Sequence, residues 1–497
     1  EEKGFSPDID CYGGCGYYGN SESVVYIYDI NDRENPILED KFGNDGNYIN
    51  SRMIGDYVYI VYNKYINLDN PDLPVYYENG VARETLVSDI YYPNYPDTSF
   101  VFTSIVSVNV NNGDVNNKVY LTGGSSHIYV SEKNIYLTHV KRIDNDHYSE
   151  EYAEKVAFVL LDDEGDSKVE GILEGGLSTR GDKLRKINNV INDYSATLSG
   201  SEKSDFDTRF MELVENFNVE ISKQTEKTVV HKIGIDNGDI NYKTAGEVSG
   251  HVLNQFSMDE YKGNFRIATT TGNMWEGNSF NHLYILDKNM ELIGSVEDLA
   301  KGEKIYSARF IGDRSYIVTF KKVDPLFVID LSSPSDPRVL GYLKIPGYSD
   351  YLHPYDEDHL IGIGQEADEN GRVQGLKVSL FDVSDVEHPI EVAKYIIDGW
   401  SSSSAQYDHK AVLFDKSRNM LVMPVTSSIK HCTTNNVCGY ERFQGAYVFD
   451  VTEDEIDLKG MIEHIDDNAD VNNEDKYYWS SYNYAIQRTL FMDDVLY

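Results

Sequence analysis

The chain is written as a repeat. Asn50–Asn63 reads Asn-Ser-Arg-Met-Ile-Gly-Asp-Tyr-Val-Tyr-Ile-Val-Tyr-Asn, two β-rich runs around Gly55-Asp56. That dipeptide favours a tight hairpin because both residues tolerate positive φ. The shape returns at Ser307–Phe320 around Gly312-Asp313, and more loosely at Ser126–Thr138, Phe256–Thr269, Tyr351–Gly364, Tyr407–Met423 and Ile486–Tyr497. Val58, Ile60 and Tyr62 make one face apolar, and Tyr57, Tyr59 and Val61 do the same for the other. A sheet with one wet face alternates apolar and polar, so these strands are expected to be covered on both sides.

A second unit recurs between the copies of the first: apolar strand, Asp, small polar turn, often Pro, then another strand. Examples are Val24–Phe42, Phe327-Val-Ile-Asp330 with Pro337, Ser379-Leu-Phe-Asp382 with Pro389, and Tyr447-Val-Phe-Asp450. The two hairpins alternate along the chain, giving a four-stranded module every ~45–50 residues, the period of propeller blades. Modules start near residues 48, 125, 251, 304, 348 and 405, leaving a second hairpin at 24–43 and a first hairpin at 482–497. The expectation is an all-β fold, a single propeller over 1–497 of about seven blades whose last blade joins both chain ends, removing open edges. An eight-bladed ring whose terminal blade lies outside this chain is the alternative.

Long insertions fall at 65–99, 142–227, 366–373 and 427–444, each between the two hairpins of a module. In a propeller those connections emerge on one face, and residues 1–22 belong there by the same logic. The insertion at 142–227 carries apolar residues at helical spacing: Leu184, Ile187, Val190 and Ile191, then Phe206, Phe210, Leu213 and Phe217. It is expected to be mainly helical over Arg180–Tyr194 and Ser204–Val219, with Ser204 or Asp205 as the second cap, and to pack as a lid onto the disc, a partner-binding element being the alternative.

Asn50-Ser-Arg-Met-Ile-Gly-Asp-Tyr-Val-Tyr59, His353-Pro-Tyr-Asp-Glu-Asp-His-Leu-Ile-Gly-Ile-Gly364 and Tyr407-Asp-His-Lys410 carry a resemblance. The chain resembles a family of secreted prokaryotic and archaeal β-propeller proteins distantly related to WD40 repeats. The resemblance implies a propeller with helices where 142–227 lies. It supplies no settled activity and no catalytic residues.

Net charge is −39, which makes nucleic acid and anionic membranes poor partners. No apolar run approaches the roughly 18–20 residues that span a bilayer. No signal peptide precedes Glu1, which implies a cytosolic or an already processed chain. Cys11 and Cys15, and Cys432 and Cys438, form two close pairs. Even numbers in short loops favour disulfides and an oxidising compartment. One four-thiolate zinc site, with His431 able to replace a thiolate, is the competing reading. Asp466, Asn468, Asp470, Asn472 and Glu474 place oxygen ligands at alternate positions, as calcium loops do, without the Gly of a helix-loop-helix site. A solvated acidic loop is the plain alternative, and calcium is the one cofactor expected.

Serine-hydrolase, zincin and phosphate-loop signatures are absent. The inner-strand positions near the first-hairpin turns hold Arg52, His127, Arg309, His353, His409 and Arg488. Such a ring has the chemistry for an anion or a metal, while the plainer expectation pairs each residue with an Asp of a neighbouring blade, such as Asp356 or Asp408. The function expected is an extracellular or cell-surface binding scaffold working through its loop face. Its partner would be a protein, another copy of the chain, or a polysaccharide. The alternative is an enzyme with a metal or small-molecule site near His353 and His409.

Overall fold

A computed structural model describes residues 22–32, 34–67, 71–92, 100–124, 127–142, 147–175, 179–320, 324–368, 370–432, 438–463, 485–492 and 495–497. Seven sheets of four or five strands follow one another among the described residues. Sheet one holds Ser23–Asp29, Ile37–Asn44, Val75–Glu78 and Val81–Glu84. Sheet two holds Asn47–Ile54, Tyr57–Tyr65, Val101–Asn109 and Val115–Thr122, with Ile90–Tyr91 on its edge. Sheet three holds His127–Val130, Asn134–Arg142, Glu226–Asp236 and Asp239–Ser249. Sheet four holds Met258–Tyr261, Asn264–Thr271, Phe280–Leu286 and Leu292–Leu299. Sheet five holds Lys304–Ile311, Arg314–Phe320, Asp324–Asp330 and Arg338–Ile345. Sheet six holds Tyr348–Pro354, His359–Ala367, Val373–Asp382 and Ile390–Asp398. Sheet seven holds Trp400–Ser402, Leu413–Asp415, Met420–Cys432, Cys438–Val451 and Ile456–Glu463. The chain divides into two compact units: residues to Gln255 with Leu286–Leu292, and Phe256–Ile285 with Ile293–Tyr497.

The two apolar faces of the Tyr57–Tyr65 strand have separate destinations. Ile60 and Tyr62 enter a core with Phe42, Val106 and Val108, whereas Tyr59 and Val61 enter one with Ile105, Ile135, Leu137 and Ile233. The second unit repeats this: sheets five and six share a core around Val318, Val328, Leu360 and Phe381, and sheets six and seven one around Ile361, Val378, Leu421 and Phe449. Each strand therefore needs both neighbouring sheets to bury its side chains, as the unbroken apolar runs imply. At ~25 cal/mol per Å² of apolar surface removed from water, these shared cores are the main favourable term of the fold.

The turn chemistry is equally local. In the hairpins at Gly55-Asp56 and Gly312-Asp313 only the glycines take positive φ, 58° and 53°. That is the II′ pattern rather than one needing two left-handed residues. The recurring Asp of the second hairpin closes an Asx turn. Asp29, Asp330 and Asp382 accept the backbone N–H two residues on, at 2.8, 2.9 and 2.8 Å.

The insertions lie between the second and third strands of their sheets, as the repeat predicts. The 65–99 segment does more than loop. Val75–Glu78 pairs antiparallel with Ile37–Asn44, and Ile90–Tyr91 pairs parallel with Val115–Thr122, so it covers two strand edges. Phe491–Met492 and Val495–Leu496 pair with each other.

The large insertion is helical: Tyr148–Tyr152, a π turn at Ala153–Ala157, Phe158–Leu160, Asp163–Leu173, Arg180–Thr197 and Gly200–Thr225. Its buried residues, Val156, Val169, Ile187, Ile191, Phe206 and Phe217 among them, form a core of their own. The last helix begins at Gly200, so Ser204 and Asp205 lie inside it rather than at its cap. Asp163–Leu173 escapes sequence reading because its first turn is polar; Asp162 caps it, accepting from the Gly165 N–H at 2.9 Å. Among the described residues no helix is long and apolar enough to cross a membrane.

Candidate functional site

Three of the six ring residues gather in the second unit, around a side chain that sequence reasoning did not single out. The guanidinium of Arg309 lies 4.6 Å over the Phe256 ring. The His409 and Tyr351 rings meet the same phenyl edge-on, at 5.0 and 5.4 Å. Tyr351 Oη and His353 Nδ1 are 3.0 Å apart, and the His353 ring packs edge-on to Phe414 at 5.2 Å. Burial, reinforced by the nearby Arg309 charge, pushes His353 down to about 4, so it is neutral at neutral pH. Burial likewise lowers Arg309 and raises Tyr351.

The other three ring residues have partners of their own. Arg52 donates to Asn50 Oδ1 at 2.8 Å and to the Ser51 carbonyl at 2.7 Å, and also to Gln255 Oε1. His127 is half-buried, with its pKa lowered by burial and then by the neighbouring His251. Arg488 pairs with Asp408 at 3.2 Å. Arg488 and His409 do not sit on regular inner strands. In sheet seven the edge strand is broken by short 3-10 turns at Ser404–Gln406 and His409–Ala411. Ser403 accepts from Ala405 N–H at 3.1 Å and Asp408 from Lys410 N–H at 3.0 Å, local bonds that compete with the strand ladder.

The turn ends of sheets four to seven are stapled in series. Lys262 bonds Asp313 at 2.9 Å, Arg266 reaches the Gly312 carbonyl at 2.6 Å, and Arg314 reaches the Val383 carbonyl at 3.4 Å. Lys416 bonds Asp356 at 2.7 Å, and that carboxylate also holds His359 at 2.9 Å. Asp356 ends at about 2: burial is the largest influence and acts upward, but the bonds from Lys416, His359 and the backbone together outweigh it. Asp356 thus serves Lys416 and His359, and His353 takes Tyr351 instead.

The opposite ends carry a different surface. Trp400 and Tyr407 border a cleft of ≈ 580 Å³ in sheet seven, also lined by Thr426, Arg442, Gln444 and Gln487. Only Tyr407 falls in a motif read from the sequence; the other lining residues are spread over three strands and two irregular segments.

Two sequence-predicted sites stand differently. Cys432 and Cys438 are cross-strand partners in the ladder of sheet seven. Cys11, Cys15 and the acidic run from Asp466 to Glu474 lie outside the described residues. Among the described residues no group of three or more His, Cys, Asp or Glu side chains is arranged to hold a metal ion.

Comparison with known proteins agrees with the fold. Residues 7–497 match the family described as a beta propeller domain, and the chain belongs to it. An uncharacterized protein of Methanocaldococcus jannaschii is 32% identical over 465 residues, covering 90% of this chain and 69% of that protein. An uncharacterized protein of Archaeoglobus fulgidus is 32% identical over 415 residues, covering 82% of this chain and 62% of its own length. The chain therefore spans about two thirds of the relatives it matches. A propeller of this kind suggests a scaffold for protein interaction.

Proposed function

We propose that this propeller is an extracellular or cell-surface binding scaffold whose partner docks on the insertions between the two hairpins of its modules. The observation that carries the reading is positional. The described insertions of both units leave their sheets between the second and third strands, and the largest has a core of its own. Loops of this kind on a rigid sheet framework change without disturbing the shared cores, which is where recognition surfaces lie. Several insertion tyrosines have a structural duty: Tyr91 stacks on Tyr242 at 4.3 Å and Tyr76 on Phe42 at 6.1 Å. The interaction surface is therefore assigned to the insertion residues that remain outward, such as Met211, which is 64% exposed. In this reading the ring has seven blades and the hairpins 24–43 and 482–497 close it. Cys11–Cys15 and Cys432–Cys438 are disulfides, and Asp466–Glu474 binds calcium.

Treating intact source cells with a protease, followed by mass spectrometry, tests the location. Release of fragments from 147–225 supports the proposal; complete protection until the cells are lysed contradicts it. An enzyme is the second reading, favoured by one observation. The buried Arg309 guanidinium, over the Phe256 ring and within the field of Asp259, sits beside neutral His353, a pairing that suits an anionic substrate.

A further inference from the structure

We infer that the cleft in sheet seven binds an oligosaccharide, with Trp400 and Tyr407 as its platform and Arg442 placed for an acidic group on the sugar. The strand register builds the site. Trp400 lies opposite Ser428, and Ser428 opposite Arg442; Ser402 lies opposite Thr426, and Thr426 opposite Gln444. Directly opposed residues share one face of a sheet, and residues two apart along a strand share it too. Two rows of three side chains, about 7 Å apart, therefore project from the same face of three strands.

Three observations point to a ligand with flat C–H faces and many hydroxyls. First, Trp400 is 67% exposed and Tyr407 84% exposed, both on the border of a half-open cleft. An aromatic ring left in water beside a concavity is the usual platform for an apolar ligand face. Second, one polar group of the cleft wall is uncommitted. Among the described residues the Ser404 hydroxyl is shielded from solvent without a hydrogen-bond partner, and the Trp400 indole and the Arg442 guanidinium stand exposed on the same cleft. What distinguishes Ser404 from the other unpartnered buried groups is its place in the wall of a cleft, where a ligand can supply the missing bond. Third, among the described residues no carboxylate lines the cleft, although Asp and Glu number 83 against 44 Lys and Arg in the chain. Hydroxyls of Ser and Thr both donate and accept, which matches a ligand whose polar atoms do the same. A peptide would present separate N–H and C=O groups at strand spacing. The sugar site stands apart from the scaffold reading: a protein partner on the insertions neither requires it nor forbids it.

The test uses the whole chain against immobilised tetrasaccharides of glucose, mannose, N-acetylglucosamine and galacturonate, with a random peptide library beside them. At least one tetrasaccharide is expected to bind saturably. Trp400→Ala should weaken it at least tenfold and Tyr407→Ala at least threefold, while Arg442→Gln should weaken galacturonate alone. Both aromatic variants alter exposed side chains, and unchanged melting temperatures verify that they fold. If either melts early, the other supplies the readout. Absence of binding to all four sugars overturns the inference, as does binding that neither aromatic variant weakens. Trp400-dependent capture of peptides without any sugar would overturn it in favour of a peptide groove.

Discussion

The two ends of the sheets in the second unit are built for different purposes. At the turn end, charge is consumed by the structure: Arg266, Lys262, Arg314 and Lys416 each bond the turn region of a neighbouring sheet. At the insertion end of sheet seven, Trp400, Tyr407, Arg442 and Ser404 line a cleft, and among the described residues the Ser404 hydroxyl has no hydrogen-bond partner. Paired charges fix the register of one sheet against the next, whereas an idle polar group beside a platform serves a ligand. The contrast predicts that turn-end substitutions cost stability and insertion-end substitutions cost binding.

Arg266→Ala should have the largest effect. The side chain is buried, holds Asp259 through Nε at 2.9 Å, and stacks over Tyr261 and Phe310 at 4.7 and 5.1 Å. Removing one partner of a buried ion pair costs about 3 kcal/mol. Denaturant melts check this, and a loss near zero would break the contrast.

Asp350→Asn sharpens it from the other side. Asp350 lies near the start of its strand, accepts from Gln406 Nε2 at 2.6 Å, and is pushed up to about 6 by burial. A carboxyl whose folded pKa is raised binds more protons folded than unfolded, so it favours the fold below pH 4. That favour is lost as pH rises from about 4 to 6. Asn should therefore stabilise the protein by up to about 3 kcal/mol at pH 7 and by little at pH 4. Melting temperatures across that range read the crossover.

Lys416→Ala removes a partly exposed staple, and double-mutant cycles with Asp356→Asn should give a coupling of about 0.5 kcal/mol. Smallest of all, Trp400→Ala and Tyr407→Ala should leave stability within about 0.5 kcal/mol, since both side chains stand largely in water.

How much of this was legible differs by region. The repeat exposed the sheets, because Val58–Tyr62 declares a strand buried on both faces and Gly55 declares its turn. It also located the insertions, since they interrupt a regular period. The Val75–Glu78 and Val81–Glu84 hairpin was hidden, because its value lies in covering Ile37–Asn44, a pairing decided by space rather than pattern. The same holds for Phe256. Nothing in its spacing says that Arg309, Tyr351 and His409 converge on its ring. His409 illustrates the limit of reading by equivalence: it occupies a strand position in the repeat, but Asp408 caps a short turn there instead. The cleft was invisible for a related reason. Trp400, Ser428 and Arg442 become neighbours only through register.

The most direct test of the central claim is a cross-link map made on intact source cells with a lysine-reactive reagent. Insertion lysines such as Lys155, Lys168 and Lys186 should link to other protein chains. The turn-end lysines Lys262 and Lys416 should give links within their own chain alone. Links to other chains from Lys262 and Lys416, with none from the insertion, would contradict the account.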